Sequence, residues 1–217
     1  MHVIGSIDPA GTGEAFVLVV AVDRQTGHRW ILNCWRGSHT TPSWYAELIE
    51  RVTPEYGVAE WVVESNAYAS WIIHDERITK YCRGNGKRLT SHYTGRNKQD
   101  PNFGVASMSS LFGSFNRIVA GGRQVHAGDH MIHIPDPGRS EGVKALIEEL
   151  ITWRPGTLGR ELKQDGPMAL WFAELRARTC LTGSSSGVQQ SYVNNSYQSR
   201  GDRRRRAVMP RYLSGLR

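Results

Sequence analysis

Val3-Ile4-Gly5-Ser6-Ile7-Asp8-Pro9-Ala10-Gly11-Thr12-Gly13-Glu14 (VIGSIDPAGTGE) carries an apolar strand straight into a carboxylate, then through small residues to a second carboxylate. An Asp-Pro-x-Gly sequence after a strand is often no more than a turn. Here the pattern recurs: residues 58–64 (VAEWVVE) form another short apolar strand, and it too stops at an acid, Glu64. Between the two, residues 15–22 (AFVLVVAV) are an unbroken apolar run, as expected of a strand covered on both faces. Residues 23–27 (DRQTG) turn the chain, and residues 29–35 (RWILNCW) return as a third strand, which completes an antiparallel meander.

Pro42 opens a helix carrying Trp44, Leu48 and Val52 at helical spacing, and Gly57 closes it. After the strand ending at Glu64, the pattern predicts a helix over residues 67–81 and a short strand over 89–93. Val105, Met108, Phe112, Phe115 and Val119 suggest a further amphipathic helix, and residues 124–134 an edge hairpin or strand. Two more helices are marked by Val143, Leu146, Ile147 and Leu150, and by Met168, Trp171, Phe172 and Leu175. The crossover through the first helix must be right-handed and lays the fourth strand parallel to an earlier one. If that neighbour is the first strand, the fold is α/β with a mixed sheet of five or more strands, order 3-2-1-4-5 and helices on both faces. That is the ribonuclease H-like arrangement.

In that arrangement Asp8 and Glu64 share the sheet edge where open α/β sheets gather ligands, about 5 Å apart across one strand spacing. Two acids so placed repel each other unless a cation joins them, and oxygen donors suit a hard divalent ion. The small residues 9–13 would let a phosphate approach. Asp165, ahead of the last helix and one turn before Met168, is the best third acid, although Asp-Gly-Pro is also an ordinary helix start. Glu14 is either an auxiliary ligand or the start of the second strand. Lys98 is expected near the same edge, as a phosphate contact or a solvated loop lysine, with Arg96 and Arg123 as further cations of this kind.

The 217 residues are expected to form one ordinary domain over 1–182, followed by a Ser/Gly/Asn-rich linker and an Arg-rich tail over 183–217. The formal charge of +7 is concentrated in that tail: residues 200–217 hold seven arginines and one aspartate, and the body is close to neutral. Arg203, Arg204, Arg205 and Arg206 are read as a backbone-phosphate contact without sequence preference, or as a docking segment. No apolar run of 18 residues and no leader pattern occurs, so neither a membrane span nor secretion is expected. Cys34, Cys82 and Cys180 are widely spaced and read as free thiols. His126, His130 and His133, with Asp129 among them, make a poor zinc site because His130 and His133 would face opposite sides of a strand.

GSIDPAGTGEAFVLVV (5–20), WVVESNAYAS (61–70), GRNKQDPNFGVASMSSLFGSF (95–115) and KQDGPMALWFAELRAR (163–178) together resemble the successive motifs of the nuclease domain of the large terminase subunit of tailed bacteriophages. The resemblance runs over most of residues 3–180. It implies a ribonuclease H-like, Mg²⁺- or Mn²⁺-dependent endonuclease that cuts concatemeric viral DNA during genome packaging in the host bacterial cytoplasm. Its acids would be Asp8, Glu64 and Asp165, holding two divalent ions, and Glu14 falls where some members carry a further Asp. Implied partners are double-stranded DNA, a packaging ATPase, the small terminase subunit and the portal or procapsid. Two departures stand out. Gln164 precedes Asp165 where the family often has an acid, and no G-x-x-x-x-G-K-[ST] occurs, so no nucleotide cofactor is expected and the chain reads as an excised nuclease domain or a stand-alone subunit.

Three other readings compete. A Holliday-junction resolvase would share the fold. A non-catalytic DNA-binding or docking module would use the acids only as caps and turns. An actin-like nucleotide binder would need a second glycine-rich phosphate loop, and Gly121-Gly122 does not provide one.

Overall fold

The computed structural model describes residues 1–9, 14–65, 71–95, 98, 100, 103–112, 117–119, 123–125, 130–154 and 164–182. Its chain divides into a unit over Met1–Leu181 and a second stretch from Thr182 on, of which only Thr182 is described. In order, the elements are β1 (His2–Asp8), β2 (Glu14–Val22), β3 (Arg29–Ser38), α1 (Pro42–Tyr56), β4 (Glu60–Glu64), α2 (Glu76–Gly84) and β5 (Arg88–His92). Then come β6 (Arg117–Val119), β7 (Arg123–Val125), β8 (Ile132–His133), α3 (Glu141–Thr152) and α4 (Asp165–Thr182).

Six strands form one sheet in the order β5-β4-β1-β2-β3-β8. The meander β1–β2–β3 is antiparallel, while β4 joins β1, β5 joins β4 and β8 joins β3, all in parallel. The expected 3-2-1-4-5 order is therefore present, with β8 added beyond β3. β6 and β7 pair separately as a two-stranded ribbon.

The period-two pattern sorts the core into two layers. Ile4, Phe16, Leu18, Val20 and Val62 point toward α3 and α4, where they meet Leu146, Met168, Trp171 and Phe172. Ile7, Val17, Val19, Trp61 and Val63 point the other way, toward Tyr45, Ile49 and Val52 of α1 and Ile78 of α2. β2 is buried along both faces, which explains why residues 15–22 show no polar alternation. Each fully buried aliphatic or aromatic side chain contributes roughly 1.5–3 kcal/mol. Trp61 and Trp171 are fully buried, and Trp44, Trp71 and Trp153 pack against the layers, so these five tryptophans serve the core.

Helix ends follow their capping chemistry. Thr41 caps α1 through the Trp44 amide, and Gly57 ends the helix in the left-handed region at φ 66°. The helix expected over 67–81 is different: a 3₁₀ turn covers Ile72–His74, and α2 starts only after Asp75, whose side chain accepts from the Ile78 amide. Residues 66–70 lie outside the described residues. The amphipathic helix expected over 105–119 is also corrected. The chain makes a 3₁₀ segment over Val105–Leu111 and then the strand β6. Ser107 and Ser110 hydroxyls donate to nearby backbone carbonyls there, which competes with regular α-helix. Of the edge hairpin or strand expected over 124–134, the described residues give β7, which pairs with β6, and β8, an edge strand beside β3. Among the described residues, no helix is long and apolar enough to cross a membrane. Cys34, Cys82 and Cys180 are free thiols.

Candidate active site

Parallel pairing of β1 with β4 runs to Ile7 opposite Val63, which sets the next two residues, Asp8 and Glu64, side by side at the carboxyl ends of their strands. Ile4, Ser6 and Asp8 alternate onto the α4 face, as do Glu60, Val62 and Glu64. α4 crosses that face and begins at Asp165 itself. Its position is set by two contacts: the Ser6 hydroxyl donates to the Ala169 carbonyl in a buried bond of 2.6 Å, and the Trp171 indole N–H donates to the Phe103 carbonyl at 3.0 Å.

Glu64 and Asp165 both act on Asp8. Burial raises Asp8 well above the ordinary carboxylate range; the Glu64 carboxylate adds to this by charge and by a side-chain hydrogen bond, and Asp165 adds by charge. Lys98 opposes the shift, so its positive charge also lies close to Asp8. Glu64 is only 6% exposed, and its Oε1 accepts from the Thr94 hydroxyl. A cluster of like charges at a sheet edge, with one member holding its proton unusually tightly, has the donor chemistry of a hard divalent cation site.

Two neighbours escaped the sequence reading. Thr94 stands just beyond β5, and His92 is the β5 residue registered against Glu64. The His92 ring meets Trp171 edge-on at 5.3 Å and Phe172 at 5.7 Å. Burial lowers its pKa, while the Glu64 charge works against that. His92 Nε2 is buried without a hydrogen-bond partner among the described residues. The available signal was that the strand expected over 89–93 runs parallel to β4 and must deliver side chains to the same edge.

The Glu14 carboxylate pairs with Arg36 at 2.9 Å. Arg36 also donates to Glu149 of α3, whose other oxygen accepts the Gly166 amide at 2.7 Å. Residues 10–13, Arg96, and Arg203, Arg204, Arg205 and Arg206 lie outside the described residues, as do His126 and Asp129 and the side chain of Arg123. His133 instead packs on Trp30 and hydrogen-bonds His28 at 2.7 Å, and His130 bonds the Phe112 carbonyl.

Another group of potential metal donors, His2, Glu60 and Cys180, lies at the opposite end of the sheet. Glu60 is already neutralised there. It takes His2 Nε2 at 2.9 Å on one oxygen and Arg176 at 2.6 and 3.2 Å on the other. Arg24 donates to His2 Nδ1 at 3.1 Å, which leaves Nε2 as the N–H that faces Glu60. Burial raises the Glu60 pKa, but the bonds from His2 and Arg176 outweigh it and hold the group below its ordinary value. The arrangement is a closed ion-pair knot, not a cation site.

No family model and no curated protein matches the chain. Solved structures do. The nuclease domain of the large terminase subunit of bacterial virus Sf6 is 12% identical, with 83% of this chain and 88% of that one covered, at a TM-score of 0.51. The large terminase nuclease of thermophilic phage G20c is 17% identical over 80% and 82%, at 0.46. Thermus thermophilus RuvC is 15% identical over 81% and 96%, at 0.40. Together with the strand order, the Sf6 likeness identifies the fold as ribonuclease H-like.

Proposed function

We propose that this chain is a metal-dependent endodeoxyribonuclease that cuts concatemeric viral DNA during genome packaging in the host cytoplasm. The observation that carries this reading is the buried Asp8 carboxyl at the sheet edge, registered beside Glu64 and raised by burial and by the charges of Glu64 and Asp165. The fold shared with the Sf6 nuclease domain supports it.

Asp8, Glu64 and Asp165 would hold the divalent ions, two Mg²⁺ or Mn²⁺. Bound there, such ions supply Lewis acidity toward a phosphodiester and lower the pKa of coordinated water. The chain's own groups prepare that chemistry. Thr94 fixes the Glu64 carboxylate through Oε1. The His92 ring, registered beside Glu64 and packed on Trp171 and Phe172, would shield one side of the acids from water and so strengthen their charge interactions. Lys98, whose charge already acts on Asp8, would meet a phosphate approaching the acids and offset their negative field. Double-stranded DNA is the proposed substrate. A packaging ATPase, a small terminase subunit and a portal or procapsid are the proposed partners, and the tail arginines Arg203–Arg206 a backbone-phosphate contact. The proposed domain division is a nuclease over 1–182 and an appendage over 183–217.

Incubation of supercoiled plasmid and a synthetic four-way junction with the chain in Mn²⁺ or EDTA tests the proposal. Nicking and linearisation of the plasmid are expected in Mn²⁺, with loss in EDTA and in Asp8→Asn. Undiminished cutting by Asp8→Asn refutes the site. Symmetric junction cleavage with the plasmid spared replaces the packaging reading with a resolvase.

A further inference from the structure

We propose that Glu149 and Arg36 are positioning residues that lock Asp165 into the acid cluster; the inference rests on the metal-site reading above and extends it beyond the acids themselves. The first amides of a helix lack intrahelical partners and are usually served by a local cap or by water. In α4 the Gly166 amide, the one immediately after Asp165, donates instead to Glu149 Oε2 at 2.7 Å, from a residue on α3. The start of α4 is thereby tied to a separate element.

The tie is built at a cost. Glu149 is 5% exposed, and a carboxylate in so dry a place is unfavourable by several kcal/mol unless paired and hydrogen-bonded. Its partners are the Gly166 amide and the Arg36 guanidinium. Gly166 is the residue that leaves room for it: an added Cβ would lie 3.0 Å from both Glu149 Oε2 and Leu146 Cδ1, and 3.3 Å from Phe16 Cε2.

Arg36 extends the strut. It stands near the end of β3 and reaches Glu14 at 2.9 Å as well as Glu149. Glu14 is the first described residue after Asp8-Pro9 and begins β2. A single guanidinium therefore bridges the strand that follows Asp8 and the helix cap that carries Asp165. Loss of the strut frees the first turn of α4 to shift relative to β1, and divalent-ion sites tolerate little displacement of a ligand. Removal of groups that orient metal ligands typically lowers metal affinity about 10–100-fold.

Calorimetric titration with Mn²⁺, alongside thermal melts and plasmid cleavage, tests the inference on wild type, Glu149→Gln and Glu149→Met. Glu149→Met fills the volume and leaves Arg36 paired with Glu14. It is expected to stay folded, to bind Mn²⁺ about 10–100-fold more weakly, and to lose kcat with an unchanged KM for DNA. Glu149→Gln keeps an acceptor for the Gly166 amide and recovers most of the affinity. Wild-type Mn²⁺ affinity in folded Glu149→Met overturns the positioning role. Absence of Mn²⁺ binding by the wild type overturns the metal site itself, which is a separate result. If Glu149→Met does not fold, Gly166→Ala replaces it: the added methyl group displaces the Glu149 carboxylate, and unchanged Mn²⁺ affinity again overturns the role.

Discussion

Asp8→Asn in the metal-free protein should raise stability, and the gain should depend on pH. Asp8 is hydrogen-bonded to Glu64 and lies within the field of Asp165, with Lys98 as partial compensation. Two unit charges about 4 Å apart repel by roughly 4 kcal/mol at an effective dielectric near 20. Asp8 escapes part of this by holding its proton, so the recoverable stability is about 1–3 kcal/mol, or roughly 3–10 °C in Tm for a unit of this size.

The sign follows from proton binding. The folded Asp8 keeps its proton to higher pH than the unfolded chain does, so wild-type stability falls as pH rises from the ordinary Asp value, about 3.9, through the raised folded value. Below that window both states are protonated and the penalty vanishes. Calorimetric melts in EDTA should therefore show Asp8→Asn melting several degrees above wild type at pH 8, with the gap closing near pH 3.5. Saturating Mn²⁺ should narrow or reverse the gap, since a ligand at 100 times its Kd adds about 2.7 kcal/mol to the wild type alone. A variant that melts below wild type at pH 8, or a gap independent of pH, would show that the acids do not repel one another as described.

Three further outcomes follow from the packing. Arg176→Ala leaves Glu60, 2% exposed, with only His2 and the more distant Arg88 as basic partners, and should cost about 3–5 kcal/mol by chemical denaturation. Because Glu60 is held below its ordinary pKa, that stability exists above the unfolded value of about 4.3 and is lost as pH falls through the folded one, so the variant should show a shallower acid limb. Gly5→Ala would put a methyl group into the Trp61 ring across the β1–β4 pair, with an expected loss of about 1–3 kcal/mol and weaker Mn²⁺ binding in the same calorimetric assay. Ser6→Ala removes the buried bond to the Ala169 carbonyl and should lower stability by about 1–2 kcal/mol in urea, with no change in the m-value.

The central sheet and its acids were legible because they rest on strong local signals. Apolar runs of strand length, each ended by an acid, identified β1 and β4; the handedness of the crossover through α1 made β4 parallel to an earlier strand, and only the structure identifies that neighbour as β1. Asp165 was visible because a Gly-Pro start and an apolar stripe announce a helix. The middle of the chain was harder to read. An apolar spacing over 105–119 is helical on paper, but serine side chains bond the backbone there and the β-branched end of the segment joins a ribbon. Asp75 moved the start of α2 forward because a carboxylate at an N-cap outweighs the weak propensity of the residues before it. The Arg36–Glu149–Gly166 strut had no sequence signature at all: it joins residues 113 and 17 positions apart, and only the packed sheet brings them together.

The acids at positions 8, 64 and 165 come from β1, β4 and α4, so no contiguous stretch of chain contains all three. A polypeptide still emerging from the ribosome, or one clipped ahead of α4, has at most two of the three acids. Whatever chemistry the cluster performs is thus withheld until synthesis has passed Asp165 and the final helix has closed over the sheet. Under the proposed DNA-cutting function, that ordering would act as a built-in delay, with completion of the fold as the trigger.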